Sequence, residues 1–191
     1  MQRIHTIRRG IEKITGGVGR AAAWLALLLV GIGALNTVLR YLGGWLGVSL
    51  TSNSLGDIQW MLYSAMFLLG AGWTLQRDDH VRVDVVYERL SLARRAWVDL
   101  LGSLLLLLPF CAFGLWVSWD YALDAVRLLE TSADAGQLPI WPAKLLILAG
   151  FSLLALQGVA TVLRSVALLG GSPPEQAEPS PAGTVPTANN P

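Results

Sequence analysis

Four long runs of the chain contain no charged side chain. Each is about 20 residues long, the length at which a helix crosses the ~30 Å hydrocarbon layer of a bilayer. The four charge-free windows are residues 21–39, 58–76, 100–119 and 145–163. A charged residue at the centre of a spanning helix costs roughly 2.5–3.5 kcal/mol, so gaps of this length indicate membrane spans. The pattern predicts an all-α integral membrane protein with four transmembrane helices, at about residues 20–41, 56–77, 96–121 and 142–165.

Composition agrees with this pattern. Of 191 residues, 53% are hydrophobic and only 14% are charged, and the mean hydropathy is +0.52. Soluble domains carry about 25% charged residues, so secreted, nuclear and cytosolic proteins are excluded. The net charge of +1 suggests no nucleic-acid partner.

The basic residues predict the orientation. Five of them precede the first window (Arg3, Arg8, Arg9, Lys13, Arg20) and five lie between the second and third windows (Arg77, Arg82, Arg89, Arg94, Arg95). The other two links are poorer in basic residues, and the positive-inside rule then places both termini and the middle link in the cytoplasm. We expect a multi-pass protein of the bacterial inner membrane.

Three stretches flank or join the predicted spans. Residues 1–20 form a basic cytoplasmic segment before the transmembrane domain of residues 21–165, and residues 166–191 form a Pro-rich tail that should be disordered. The link between helices 2 and 3 has apolar residues at near-helical spacing and should be a cytoplasmic interfacial segment. It is either a lipid-anchored connector or a partner-docking surface.

The windows offer little chemistry. None contains the carboxylate or histidine with which a proton-coupled carrier binds its proton. His5 and His80 lie outside them, which disfavours a haem held by two transmembrane histidines. The single cysteine, Cys111, is read as a small packed residue. We expect no cofactor, no metal and no enzymatic activity.

A few polar or irregular positions mark the spans. Arg40 and Asp57 border helices 1 and 2, where Asp57 could pair with Arg40 or act as an acid favoured by the helix dipole. Gln157 lies inside the fourth window and should face a neighbouring helix. Pro109 should bend or loosen the third span. Pro142 suits the first turn of the fourth helix.

Several motifs carry a family resemblance. They are the block 79–84 (DHVRVD) after the second span, the stretch 116–120 (WVSWD) closing the third, and the turn 136–141 (GQLPIW) followed by Lys144 and Gln157. Together they resemble the small membrane subunit of tripartite ATP-independent periplasmic (TRAP) transporters, over roughly residues 20–164. Relatives often open the second span with two carboxylates; here Asp57 is followed by Ile58 and Gln59, so one acid carries over.

The resemblance implies a transport subunit. In that family a periplasmic substrate-binding protein captures an organic acid, a large membrane subunit carries it with sodium, and the small subunit is a structural companion of the large one. The other classes considered are a small multidrug-type antiporter and a membrane anchor of a redox complex. The candidate partner-interface or structural residues are Arg40, Asp57, Gln59, His80, Arg82, Asp84, Trp119, Asp120, Trp141, Lys144 and Gln157.

Overall fold

All regular elements in the described part of the chain are helices. The structure, a computed structural model, describes residues 2–48, 50, 53–77, 90–132 and 138–170. The helices are α1 (Gln2–Leu46), α2 (Asn53–Gln76), α3 (Leu92–Leu101), a π-helical turn (Gly102–Leu107), α4 (Leu108–Arg127) and α5 (Trp141–Leu169). This confirms the all-α prediction. The proposed interfacial segment and most of the Pro-rich tail lie outside the described residues.

The helix ends differ from the predicted ones mainly in α1. This helix has 45 residues and extends beyond the predicted span at both ends, because charge ends an apolar window without ending a helix. An ion pair between Arg8 and Glu12, one turn apart, suits its polar first part. Pro142 lies in the first turn of α5, as predicted, where its missing N–H has no helical partner to lose.

Three helices are long and apolar enough to cross a membrane, judged by length and composition. They are Thr6–Leu46, Ala93–Arg127, which runs unbroken through α3, the π turn and α4, and Trp141–Leu169. The helix predicted as the second span, α2, is not among them. Its glutamines, Asp57 and several tryptophan and tyrosine rings lower its mean hydropathy, although residues 58–76 carry no charge.

The helices pack in the order α1, α2, α5 and the α3–α4 rod, with a further direct contact between α1 and α5. We call this arrangement the helix row. We use "α3–α4 rod" for the continuous helix that α3, the π turn and α4 make. α2 packs against α1 on one side and α5 on the other, and α5 then packs along the rod. Gly19 lies beside Trp73 and Gly33 beside Gln59, so α1 and α2 run antiparallel. Because α5 touches every other helix, it is the central element of the row.

The interior of the row is built from small side chains and its exterior from large apolar ones. Trp45 is 94% exposed and Trp116 is 75% exposed. The buried apolar residues are Ala22, Ala96, Cys111, Ala122, Ala125, Ala143 and Ala160. A water-soluble protein buries its large apolar residues. Small residues at helix contacts with large ones facing outward are the arrangement of a membrane protein, and Cys111 is packed as expected.

Two glycines show how closely the helices approach. A Cβ added to Gly19 would lie 2.2 Å from Trp73 Cβ, and one added to Gly150 would lie 2.8 Å from Leu68 Cβ. Neither position has room for a side chain, so α1–α2 and α2–α5 contacts both depend on a bare backbone at the crossing.

The π turn compensates for one extra residue in the α3–α4 rod. Ala96 and Ser103 are buried and seven residues apart, and the same seven-residue spacing joins the buried Cys111 and Ala125 through the half-buried Ser118. Between Ser103 and Cys111 the spacing is eight. A π turn accommodates one additional residue, so both halves of the rod keep the same face against α5.

Pro109 explains where the π turn lies. Proline has no N–H, so it cannot donate to the carbonyl four residues earlier, that of Leu105. Immediately before it the hydrogen-bond pattern changes, and the backbone N–H of Leu108 donates to the carbonyl of Ser103, five residues back. The predicted loosening of this span at Pro109 is thus a π turn within a continuous helix.

Deleting Leu106 should convert the π turn into regular α-helix at a smaller cost than a deletion elsewhere in the rod. Leu106 is exposed, and its removal restores a seven-residue spacing from Ser103 to Cys111. The remaining cost is that of fitting Pro109 into a regular helix. We expect the midpoint of thermal unfolding in mild detergent, followed by circular dichroism, to lie closer to that of the wild type than the midpoint of the control deletion.

Deleting Val117 is the matched control, since it removes an exposed residue from regular helix. It should rotate Ala122 and Ala125 away from α5 and destabilise the protein by at least about 1–3 kcal/mol, the usual cost of overpacking. Equal losses in both deletions would contradict the role assigned to the π turn.

Candidate functional site

Three polar side chains meet where α1, α2 and α5 converge. The hydroxyl oxygen of Thr15 lies 2.9 Å from Gln157 Oε1 and 3.1 Å from Gln76 Oε1. Thr15 is 1% exposed and Gln157 is 3% exposed. We call Thr15, Gln76 and Gln157 the three-helix polar cluster. As predicted from its position in the fourth window, Gln157 faces neighbouring helices.

The hydrogen-bonding capacity of Thr15 limits this arrangement. A hydroxyl has one hydrogen, so Thr15 donates to one acceptor at a time among the two glutamine carbonyl oxygens and, at 3.1 Å, the Ile11 carbonyl of its own helix. Gly16 makes room for the second amide, because a Cβ there would lie 3.3 Å from Gln76 Oε1. The cluster therefore joins three helices through one buried hydroxyl.

A second polar group joins α4 to α5 at the opposite end of the row. Lys144, in the first turn of α5, forms an ion pair with Glu130, and its ammonium lies 4.0 Å from the centre of the Tyr121 ring. Cation–π contact and ion pair act on the same ammonium. We call Tyr121, Glu130 and Lys144 the α4–α5 clamp.

Backbone hydrogen bonds join the two sides of the link between α4 and α5 next to the clamp. Leu129 has a φ of 46°, a left-handed conformation that ends α4 and lets the N–H of Glu130 donate to the Ala125 carbonyl. The N–H of Ser132 donates to the Leu138 carbonyl at 2.7 Å, and that of Ile140 to the Glu130 carbonyl at 2.9 Å. The strained Leu129 thus redirects the chain so that Glu130 meets Lys144.

Arg40 and Asp57 do not form the ion pair that is one of the two roles predicted for Asp57. Among the described residues no ion pair joins them, and one carboxylate oxygen of Asp57, Oδ2, is buried without a hydrogen-bond partner. The dipole alternative also weakens, since α2 begins at Asn53 and Asp57 lies beyond its first turn. Gln59 instead packs over Gly33 of α1.

The remaining candidates are dispersed. Trp119 and Asp120 are exposed on α4, and Trp141 is half-buried at the start of α5. His80, Arg82 and Asp84 lie outside the described residues. The structure therefore places Gln157 and Lys144 in polar contacts but assembles no single site from the eight candidates that it describes.

Sequence reasoning missed four contributors: Thr15, Gln76, Tyr121 and Glu130. Thr15 precedes the first window in a charged stretch, and Glu130 lies in a link, so neither position stood out. A usable signal existed for Gln76, the last residue of a charge-free window. Within the part of the chain described, no cluster of three metal-ligating side chains occurs. The two polar groups join helices: the three-helix polar cluster joins α1, α2 and α5, and the α4–α5 clamp joins α4 to α5.

Replacing Thr15 by valine should weaken the protein measurably, because it removes the hydroxyl and keeps the shape. We expect the free energy of unfolding in bicelles to fall by about 0.6–1.7 kcal/mol, the range measured for interhelical hydrogen bonds. A double-mutant cycle with Gln157→Leu should show a coupling energy of the same size.

Thr74→Val is the matched control, since the Thr74 hydroxyl donates only to the Gly70 carbonyl of its own helix. Its effect should be smaller. If the cycle between Thr15→Val and Gln157→Leu gave no coupling energy, the cluster would not stabilise the contact between these helices.

The comparison with known proteins bears on the whole helix row. Residues 21–168 match the family described as "Tripartite ATP-independent periplasmic transporters, DctQ component". No curated protein and no solved structure matches the chain. The family match spans all four charge-free windows, and this family is a transporter component rather than an enzyme family. The chain therefore belongs to the DctQ component family of tripartite ATP-independent periplasmic transporters.

Proposed function

We propose that this chain is the small permease subunit of a TRAP transporter and a structural companion of the large membrane subunit. The complex would take up organic acids, driven by sodium and supplied by a periplasmic binding protein. The observation that carries the proposal is a helix row with small residues inside and four windows without a charged side chain. A carrier of anions and cations needs ionisable groups at depth, and the four windows of this chain contain no carboxylate, histidine, lysine or arginine.

We infer that α2 is the fourth span. It lies between α1 and α5, both of which have the length and apolar character to cross a bilayer. Its glutamines are not exposed to surrounding lipid as its mean hydropathy would suggest, because Gln59 packs over Gly33 and Gln76 contacts Thr15. A helix that packs between two spanning helices along its length crosses the same layer.

The distribution of charge at the two ends of the row supports the N-in, C-in orientation in an inner membrane. Arg77 and Arg164 lie toward the end at which α1 begins, together with the arginines of that segment. The other end carries the acids Asp57, Asp120, Asp124 and Glu130 against the basic residues Arg40, Arg127 and Lys144. Basic residues concentrate on the cytoplasmic side of membrane proteins.

We assign the link between α4 and α5 a role in docking the binding protein. The base of the link is held by the α4–α5 clamp and by two backbone hydrogen bonds, which join residues 130–132 to residues 138–140. A preorganised surface loses less conformational entropy on binding. The middle link, with His80, Arg82 and Asp84, is the corresponding candidate surface on the cytoplasmic side.

Copurification tests the proposal directly. The tagged chain, extracted in mild detergent, should bring down a permease of about a dozen spans in equal amount, identified by mass spectrometry. Cells lacking the chain should lose uptake of the carboxylate that the partner binding protein captures. An unrelated tagged inner-membrane protein of similar size is the control, and recovery of no permease, or uptake that survives the deletion, would refute the assignment.

The double variant Arg82→Ala, Asp84→Ala tests the middle link separately. If the link docks a partner, uptake should fall on the order of tenfold, which corresponds to about 1.4 kcal/mol of docking free energy. The amount of inserted protein should not change. Arg94→Ala, at an exposed basic residue just after the link, is the control and should transport normally. Unchanged uptake in the double variant would instead favour a lipid-anchored connector.

A further inference from the structure

The last two turns of α1 carry a groove that neither polar group explains. It is lined by Thr37, Arg40, Tyr41, Gly44 and Trp45. Arg40 follows directly on the first charge-free window, so the groove begins where the hydrocarbon layer ends. Headgroup phosphates lie at this level, and tryptophan and tyrosine concentrate there.

The floor of the groove is open because of Gly44. A Cβ added at this residue would meet no atom within 4 Å, so there is space above the backbone. The Thr37 hydroxyl donates to the Gly33 carbonyl of its own helix at 2.8 Å. Its hydrogen is therefore already used, so Thr37 does not compete with Arg40 as a hydrogen-bond donor to a ligand. The floor is therefore small and shallow.

The two walls differ in chemistry. At 100° per residue, Arg40 lies on one side of Gly44 around the helix, and Tyr41 and Trp45 lie on the other. Arg40 is exposed and lines the groove, and among the described residues it forms no ion pair with Asp57, so it contributes a positive charge to this wall. Tyr41 is 76% exposed and Trp45 is almost fully exposed. One wall is cationic and the opposite wall presents aromatic faces.

Such walls complement a headgroup that carries both signs of charge. A guanidinium binds phosphate oxygens in a bidentate manner, and an ammonium group binds over the face of tryptophan or tyrosine. An anionic headgroup would use only Arg40, and an apolar ligand would use neither wall fully. Charge complementarity therefore selects a phosphate and an ammonium separated by a short linker.

We propose that this groove binds the headgroup of a zwitterionic phospholipid, with its phosphate on Arg40 and its ammonium against Tyr41 and Trp45. The site does not depend on which transporter the chain serves. It anchors the C-terminal end of α1, the helix whose contacts are chiefly with α2.

Native mass spectrometry of the full chain in mild detergent tests the site, with phosphatidylethanolamine and phosphatidylglycerol as probes. The wild type should retain one phosphatidylethanolamine in preference to phosphatidylglycerol. Arg40→Gln should weaken retention of both lipids on the order of tenfold, as expected for loss of a charge-assisted hydrogen bond. Gly44→Leu should do the same by filling the groove without a change of charge.

Trp45→Leu separates the second wall from the first. It should reduce the preference for phosphatidylethanolamine about two- to fivefold and leave phosphatidylglycerol binding unchanged, whereas Trp45→Phe should keep the preference. Arg94→Gln and Trp24→Leu are the controls, because both residues are exposed and lie far from the groove. Neither should alter retention.

Three results would overturn the proposal. If Arg40→Gln retained lipid as well as the wild type does, the proposed contact between Arg40 and the phosphate would be wrong. If the wild type bound both lipids equally, the proposed contact of the ammonium with Tyr41 and Trp45 would be wrong. Displacement of the lipid by millimolar inorganic phosphate would identify a site for free phosphate instead. All of these variants change exposed positions, and their circular dichroism should match that of the wild type.

Discussion

Close approach of helix backbones at small residues is the interaction on which this helix row depends. Lipid chains are as apolar as leucine, so burying large apolar side chains gains little between helices in a bilayer, and dispersion contacts at short range must serve instead. Gly72 lies against Leu153 and Gly114 against the Phe151 ring, in addition to the crossings at Gly19 and Gly150. The alanine-rich interior and the exposed tryptophans follow from the same constraint.

The central helix combines this packing with both polar groups. Ala143, Gly150 and Gln157 are buried at intervals of seven residues along α5, so one face carries two small residues and then an amide. Lys144 begins the same helix and joins it to α4 through Glu130. The glycine crossings select a register, because Gly19 must face Trp73 and Gly150 must face Leu68. The hydrogen bond from Thr15 to Gln157 requires the same alignment, so packing and polar contacts agree on one register.

Features with a local signature were predictable and long-range contacts were not. Gaps in charge revealed the helices, and Pro142 marked the start of α5. Thr15 carries no such signature, because a threonine in a charged stretch becomes significant only when two other helices bring their amides to it. The π turn shows only when the burial of both halves of the rod is compared. The roles of His80, Arg82 and Asp84 remain predictions.

The contact between Thr15 and Gln157 has a geometric consequence for the bilayer. In two antiparallel helices it sets residue 18 of α1 level with Leu154, the middle of the fourth charge-free window, whereas the middle of the first window is residue 30. The windows are offset by about 12 residues, or roughly 18 Å. The polar first part of α1 therefore packs beside the apolar part of α5 rather than beyond its end, and the buried Thr15 hydroxyl meets the Gln157 amide within that stretch.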